Sequence, residues 1–368
     1  MGIKEIKTLI KKHSPNGVTT QNLSQYANKT VAIDTSIYFY RFLAYGNHLS
    51  GFVRQILILL ENNITPLYVF DGKPPAEKAD VLQERKLRRE KDLKLKAELE
   101  EELKLTKDPN QVKVLQQHIY DVNSRLIWVT SEHISSAKEL FNLFGVPYLE
   151  ANGEAEILCA KLCQKGYVDV CLSEDTDLMP NGACIFINGF KVNQKFVQEY
   201  KLETILEDMK LTYHQFVDLC ILCGCDYTCK IEGLAKDGAY TMIKKFQNIE
   251  GVINYIKFYN KKYSKDDNKE KYVVSEDFDY KRAREIFLTP LETMITPEQI
   301  KVSLKPINAK ALQAFVQNKC DRLARRYYQQ VCKLCTHNTL VKVDSINQFS
   351  TTPLTKMKTI ESYFLQKS

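Results

Sequence analysis

PLYVFDGKPP, residues 66–75, holds the reading on which the fold turns. Leu67, Tyr68, Val69 and Phe70 form a short apolar run of the kind that fills a buried strand, and it leads straight into Asp71, Gly72 and two prolines. Asp-Gly is a common turn pair, and for this stretch alone a turn is the plainer reading. Working outward, TVAID (30–34) and VDVCLSEDTD (168–177) repeat the pattern, an apolar run ending in acid each time. Helical stretches separate the runs: TSIYFYRFLAY, GFVRQILILLEN (51–62), Ser135 to Phe144, and EAEILCAKLCQKG. Strands alternating with helices predict an α/β fold with a parallel sheet, to which VPYLEA adds a further strand.

The chain has 368 residues, 44% of them hydrophobic and 26% charged, with a formal charge of +7. That composition is ordinary for a globular enzyme, and the mild positive charge raises the prior for an acidic partner such as nucleic acid. No apolar run approaches the ~20 residues that cross a bilayer, so no membrane role is expected. The amphipathic start MGIKEIKTLIKKHS does not fit a secretory signal, and eleven cysteines are then expected as reduced thiols in an intracellular protein. Cys220, Cys223, Cys225 and Cys229 crowd an apolar helical run where cysteine acts as a small hydrophobe. Cys332 and Cys335 with His337 lack a second ligand pair at zinc-finger spacing, so neither group reads as a zinc site.

Five regions follow: residues 1–75 and 131–227 as two parts of one core, 76–130 as an insertion, 228–335 as a helical region, and 340–368 as a polar tail. The insertion begins AEKADVLQERKLRREKDLKLKAELEEELKL, dense in both charges, and continues in a second charged helix from Pro109 to about Leu126. On composition alone it is a solvated helical hairpin. From Thr212 to the stretch QNKCDRLARRYYQQ the chain reads as mostly helical.

In an open parallel sheet, ligands bind outside the carboxyl ends of the strands. Asp34, Asp71, Asp175 and Asp177 all fall there, Glu154 and Glu156 open a helix, and Asp226 follows the apolar helix FVDLCILCG. So many carboxylates in one pocket repel each other unless cations neutralise them, and Mg²⁺ or Mn²⁺ suits oxygen ligands. A carboxylate-bound metal pair is a common device for displacement at phosphate. With no Gly-rich nucleotide fingerprint present, the expected substrate is a nucleic-acid phosphodiester.

These residues resemble the structure-specific 5′ nucleases, the xeroderma pigmentosum G-like family, and within it the flap endonucleases. The carriers are MGI at the start, VAIDTS, YVFDGKPP, GEAEILCAKL, SEDTDLM and FVDLCILCGCDY, in family order over most of residues 1–250. The resemblance implies a PIN-like nuclease core and a helical arch formed by the insertion, with the 5′ single strand passing beneath it. It also implies a helix–turn–helix element at IEGLAKDGAYTMIKKF (231–246) that holds duplex DNA, and Mg²⁺-dependent cutting of DNA near 5′ flap junctions in replication and repair, with 5′–3′ exonuclease capacity. By resemblance Asp34, Asp71, Glu154 and Glu156 serve one Mg²⁺ or Mn²⁺ ion, and Asp175, Asp177 and Asp226 mainly the other. Lys78 and Arg85 match the arch lysine and arginine that assist the scissile phosphate, and electrostatic stabilisation is the work open to them. Tyr40 matches a base-stacking tyrosine. Gly224 and Gly233, with Glu154 and Asp226, match positions beside the DNA.

Three departures stand out. Ala235 replaces a second hairpin glycine, the segment between Ala44 and Gly46 is shorter than the family's wedge, and Asn47 stands where the family has arginine. At the tail, Met357, Ile360, Tyr363 and Phe364 resemble the peptide by which flap endonucleases bind a sliding clamp, with methionine in place of the leading glutamine. The family's setting implies the nucleus, or a cytoplasmic replication factory for a viral chain. Two other readings of the same residues are a related 5′ exonuclease, junction-cutting or RNA-cutting enzyme, and a clamp-bound DNA scaffold with a dead site.

Overall fold

In the computed structural model, residues 2–3, 5–73, 76–263, 271–300 and 302–334 are described. A seven-stranded sheet runs through their centre: β1 (Val18–Asn22), β2 (Thr30–Asp34), β3 (Thr65–Phe70), β4 (Tyr148–Glu150), β5 (Val170–Leu172), β6 (Ile185–Asn188) and β7 (Phe196–Lys201). Their order is β1-β7-β6-β5-β2-β3-β4. Strands β2 to β6 pair in parallel, while β7 and β1 add an antiparallel edge. From β2 the chain steps one way to β3 and β4, then returns to lay β5 on the other side of β2. The crevice at this reversal lies outside the ends of β2, β3 and β5, where the three acidic turns begin.

Period-two alternation sends successive side chains of the central strands to opposite cores. Ala32, Leu67, Val69 and Cys171 face one core, built with the helices Ile6–His13, Ala155–Gln164, Tyr213–Cys223 and Lys236–Phe246. Val31, Ile33, Tyr68, Phe70, Val170 and Leu172 face the other, built with Thr35–Ala44, His48–Glu61 and Ser131–Phe144. Because both faces are covered, the strands read as unbroken apolar runs. Cys220 and Cys223 are buried within the first core as small apolar residues.

The helical region is joined to the helices of the core by polar ties as well as apolar contact. Buried Lys161 donates to the Phe287 carbonyl at 2.8 Å. Arg284 forms two parallel bonds to buried Asp218, at 2.7 and 2.8 Å, and reaches Glu250 at 2.9 Å. The insertion is a hairpin of the helices Ala79–Leu105 and Pro109–Arg125. A small cluster of Leu99, Leu115 and Val122 joins them, and a two-pronged Arg125–Asp92 pair holds them together nearer the core.

The structure departs from the sequence reading in three places. VDVCLSEDTD is a strand only at Val170–Leu172, because Ser173 and Asp175 bond to the backbone N–H groups of Asp175 and Asp177 and turn the chain into a short 3₁₀ helix, Thr176–Leu178. Strands β1, β6 and β7 were not anticipated; VTTQN is a polar edge strand without the alternation that marks one. QNKCDRLARRYYQQ spans two helices, Ala309–Lys319 and Arg322–Leu334, with Asp321 capping the second through the Ala324 N–H at 2.8 Å. Both pack on the core that holds Phe52 and Phe141.

Phe141 stacks on Tyr68 with ring centroids 4.2 Å apart and meets the edge of Phe52 at 5.3 Å. Phe141→Ala is expected to lower unfolding stability by about 3–5 kcal/mol and Phe141→Leu by under about 1.5 kcal/mol. Urea denaturation measures both, and equal losses would show that the cavity is not the cause.

Candidate active site

The acids come from several distinct local devices. Asp34 ends β2 and caps the helix Thr35–Ala44 by accepting the Ser36 N–H at 3.2 Å. Asp71 follows β3, accepts the Ala155 N–H at 2.7 Å, and is also bonded by the Ser36 hydroxyl. Asp71 therefore does serve as a helix cap, but the helix it caps is the one that carries Glu154 and Glu156. Gly72 makes this approach possible: a Cβ there would lie 2.0 Å from the Ala151 carbonyl oxygen. Asp175 and Asp177 come from the turn after β5, and Asp226 from the loop after the helix Tyr213–Cys223.

Hydrogen bonds tie these residues into one network. The Ser173 hydroxyl donates to Asp34 at 2.9 Å and accepts from the Asp175 N–H at 3.1 Å. The Tyr227 hydroxyl donates to Glu154 at 2.7 Å. Lys78, at the foot of the arch and almost fully buried, bonds Glu154 and lies 3.6 Å from Glu156 and 3.9 Å from Asp226. Arg85 stands 3.5 Å from Asp226. Asp177 is 1% exposed, and its Oδ1 is buried without a partner among the described residues. Gly2 lies against it: a Cβ on Gly2 would sit 2.0 Å from Asp175 Oδ1 and 2.6 Å from Asp177 Oδ1.

The charges are poorly neutralised. Burial, then the negative charge of Asp71, pushes the Asp34 carboxyl up to about 8. Burial, then Glu154, raises Glu156 well above the usual carboxylate range, and burial, then Asp175, does the same to Asp177. Burial alone would lower the Lys78 ammonium, but Glu156 and Glu154 outweigh it and its pKa lies above the ordinary lysine value. Among the described residues no three acidic, histidine or cysteine side chains close on a common point as an ion's ligands do, and the Lys78 ammonium stands between the carboxylates instead. The donor set nevertheless fits a hard divalent cation: every donor is a carboxylate oxygen, and one of them is buried and unpartnered.

The remaining anticipated residues fall around this centre. Tyr40 is 42% exposed on the helix Thr35–Ala44, within electrostatic reach of Arg85, Asp71 and Arg89. Gly224 ends the helix Tyr213–Cys223 with the Lys230 side chain packed against it, and Gly233 lies against the Lys271 carbonyl. Ala235 precedes the helix Lys236–Phe246 in an extended conformation natural to alanine, so the replaced glycine leaves no strain. Asn47 caps the helix His48–Glu61 through the Ser50 N–H at 3.0 Å and donates to the Lys319 carbonyl at 3.0 Å. Ile360, Tyr363 and Phe364 lie outside the described residues. Ser36, Ser173 and Tyr227 were missed as site residues; each lies within two residues of one of the acids, and that proximity was the signal.

An acid cluster at the switch point of a mostly parallel sheet, with a helical arch rooted in it by a lysine, defines a nuclease core of the xeroderma pigmentosum G class. Residues 1–92 match the XPG N-terminal domain and residues 145–226 the XPG I-region. The chain is 35% identical over 310 residues to flap endonuclease 1-2 of Paramecium tetraurelia, covering 79% of this chain and 77% of that protein. It is 32% identical over 354 residues to flap endonuclease 1 of Caenorhabditis elegans, covering 91% and 86%. The fold is similar to that of the catalytic core of Rad2 solved with a DNA substrate, with a TM-score of 0.67, 21% identity, and coverage of 86% of this chain and 95% of that one. The chain belongs to the flap endonuclease family.

Raised carboxyl pKa values carry a stability consequence. Between about 4, the ordinary aspartate value, and about 8, Asp34 binds more proton folded than unfolded, so its contribution to stability falls as pH rises through that window. In EDTA the melting temperature is expected to drop from pH 5 to pH 8, and to drop less in Asp34→Asn, which keeps the helix cap. Equal slopes for the two proteins would place the effect elsewhere.

Proposed function

We propose that the chain hydrolyses DNA phosphodiesters at the base of 5′ flaps, with two Mg²⁺ ions as cofactors and Mn²⁺ as a substitute. The observation that carries this reading is a network of seven electrostatically linked carboxylates, three of them around Lys78 at the foot of the arch, in a chain of the flap endonuclease family. Asp34, Asp71, Glu154, Glu156, Asp175, Asp177 and Asp226 would hold the ions. Divalent ions bound there supply Lewis-acid stabilisation of phosphate charge and acidify an attacking water.

The protein's own groups do the rest. Lys78 and Arg85 present positive charge where the scissile phosphate enters, and a cationic donor aimed at developing charge is worth most in such a dry site. Ser36, Ser173 and Tyr227 hold Asp71, Asp34 and Glu154 in orientation. Tyr40 stacks on a base near the cut, and the turn with Gly224 and Gly233 meets the duplex backbone, which sets register without sequence information. The tail residues Ile360, Tyr363 and Phe364 would plug a sliding clamp's apolar pocket.

A 5′-labelled double-flap DNA with Mg²⁺, beside nicked and Holliday-junction controls, tests the reading. The wild type is expected to make one main cut near the flap base. Asp177→Asn should abolish it, and Lys78→Ala should slow single-turnover cutting by roughly 10²–10³-fold with little change in DNA affinity. Binding without any cut by the wild type would overturn the enzyme reading in favour of a scaffold. Immobilised clamp should retain the wild type and release a Tyr363→Ala, Phe364→Ala double variant; equal retention would remove the clamp motif from the account.

A further inference from the structure

Trp128 is the chain's single tryptophan, and it stands 56% exposed just past the second arch helix. One face of its ring is covered by the Arg89 guanidinium, 4.5 Å from the ring centroid. The Nε of Arg89 is buried and has no hydrogen-bond partner among the described residues, so this arginine is held by the ring rather than by an acid. Arg89 lies one turn beyond Arg85 on the helix Ala79–Leu105, on the same face, and Arg85 reaches Asp226 in the acid cluster. Tyr40 feels the charge of both arginines.

A purely structural role does not account for this arrangement. The two arch helices are already joined beside it by the two-pronged Arg125–Asp92 pair, at 2.9 and 3.1 Å. An indole used as a strut would bury its ring; this one keeps more than half of its surface in water. An aromatic ring backed by arginine and more than half exposed can stack on a base of any sequence.

We propose that Trp128, backed by Arg89, is a stacking station for an unpaired base of the single-stranded 5′ arm, one helical turn from Arg85. The proposal rests on the nuclease reading above and adds to it where the arm is gripped. The station positions the strand and takes no part in bond breaking. It is indifferent to base identity and requires a base.

As the only indole in the chain, Trp128 reports on itself. In EDTA, a short fluorescently labelled oligothymidylate titrated into the protein should quench tryptophan emission in step with its own rise in anisotropy. Trp128→Ala should bind the strand roughly 5- to 150-fold more weakly, from about 1–3 kcal/mol per stacked base. Trp128→Phe should restore most of the affinity, which mere loss of side-chain bulk would not predict. An abasic strand should bind the wild type and Trp128→Ala equally. In the flap assay the loss should fall on KM rather than kcat. Binding without quenching, or equal affinity of Trp128→Ala for the normal strand, would overturn the station. A wild type that cuts no flap would instead sink the nuclease reading, whereas cutting with the same KM in Trp128→Ala would sink the station alone.

Discussion

Seven carboxylates gathered in one place repel each other, and the architecture around the site answers that repulsion. Asp34, Glu156 and Asp177 sit where water is excluded, so their charges are poorly screened and the protonated forms are favoured. Lys78 supplies the nearest compensating charge, and it comes from the first turn of the arch. The foot of the arch is thereby tied to the acid cluster by the same attraction that a divalent cation would exert. Whatever cation enters the cluster competes with Lys78 for its carboxylates, which couples the site's electrostatics to the root of the arch.

Repulsion of this kind persists only on a rigid support. The parallel strands β2, β3 and β5 are covered on both faces by apolar cores, so the ends that deliver Asp34, Asp71 and Asp175 cannot part without opening both. Asp71 also ties the end of β3 to the helix that carries Glu154 and Glu156 by capping it. One residue thus performs both the plain structural task and the chemical one. The two are compatible because a carboxylate has two oxygens and several acceptor sites.

The departures from the family pattern have local explanations. Asn47 takes up a helix cap and a bond to the Lys319 carbonyl, which ties the shortened segment near Tyr45 to the helices at the end of the described chain. Ala235 adopts an ordinary extended backbone. Neither change reaches the acid cluster.

Much of the site was legible in the residues because its chemistry is written locally: an apolar run buried on both faces followed by an acid can be read without a partner. Period and composition likewise determined the helices around the sheet and the charged hairpin of the insertion. Strands β1, β6 and β7 were not legible; β1, VTTQN, is a polar edge strand that owes its conformation to the neighbour with which it pairs. Nor was the break at Cys320–Asp321, where the Asp321 N–H meets the Ser50 hydroxyl from a helix far away in sequence. The sequence by itself determined which residues carry charge and which ends of which strands they follow. Only the tertiary structure decided that Lys78 stands among the acids, that Asp71 caps another segment's helix, and that Arg89 lies on Trp128, because each is a contact across the fold whose geometry no local pattern encodes.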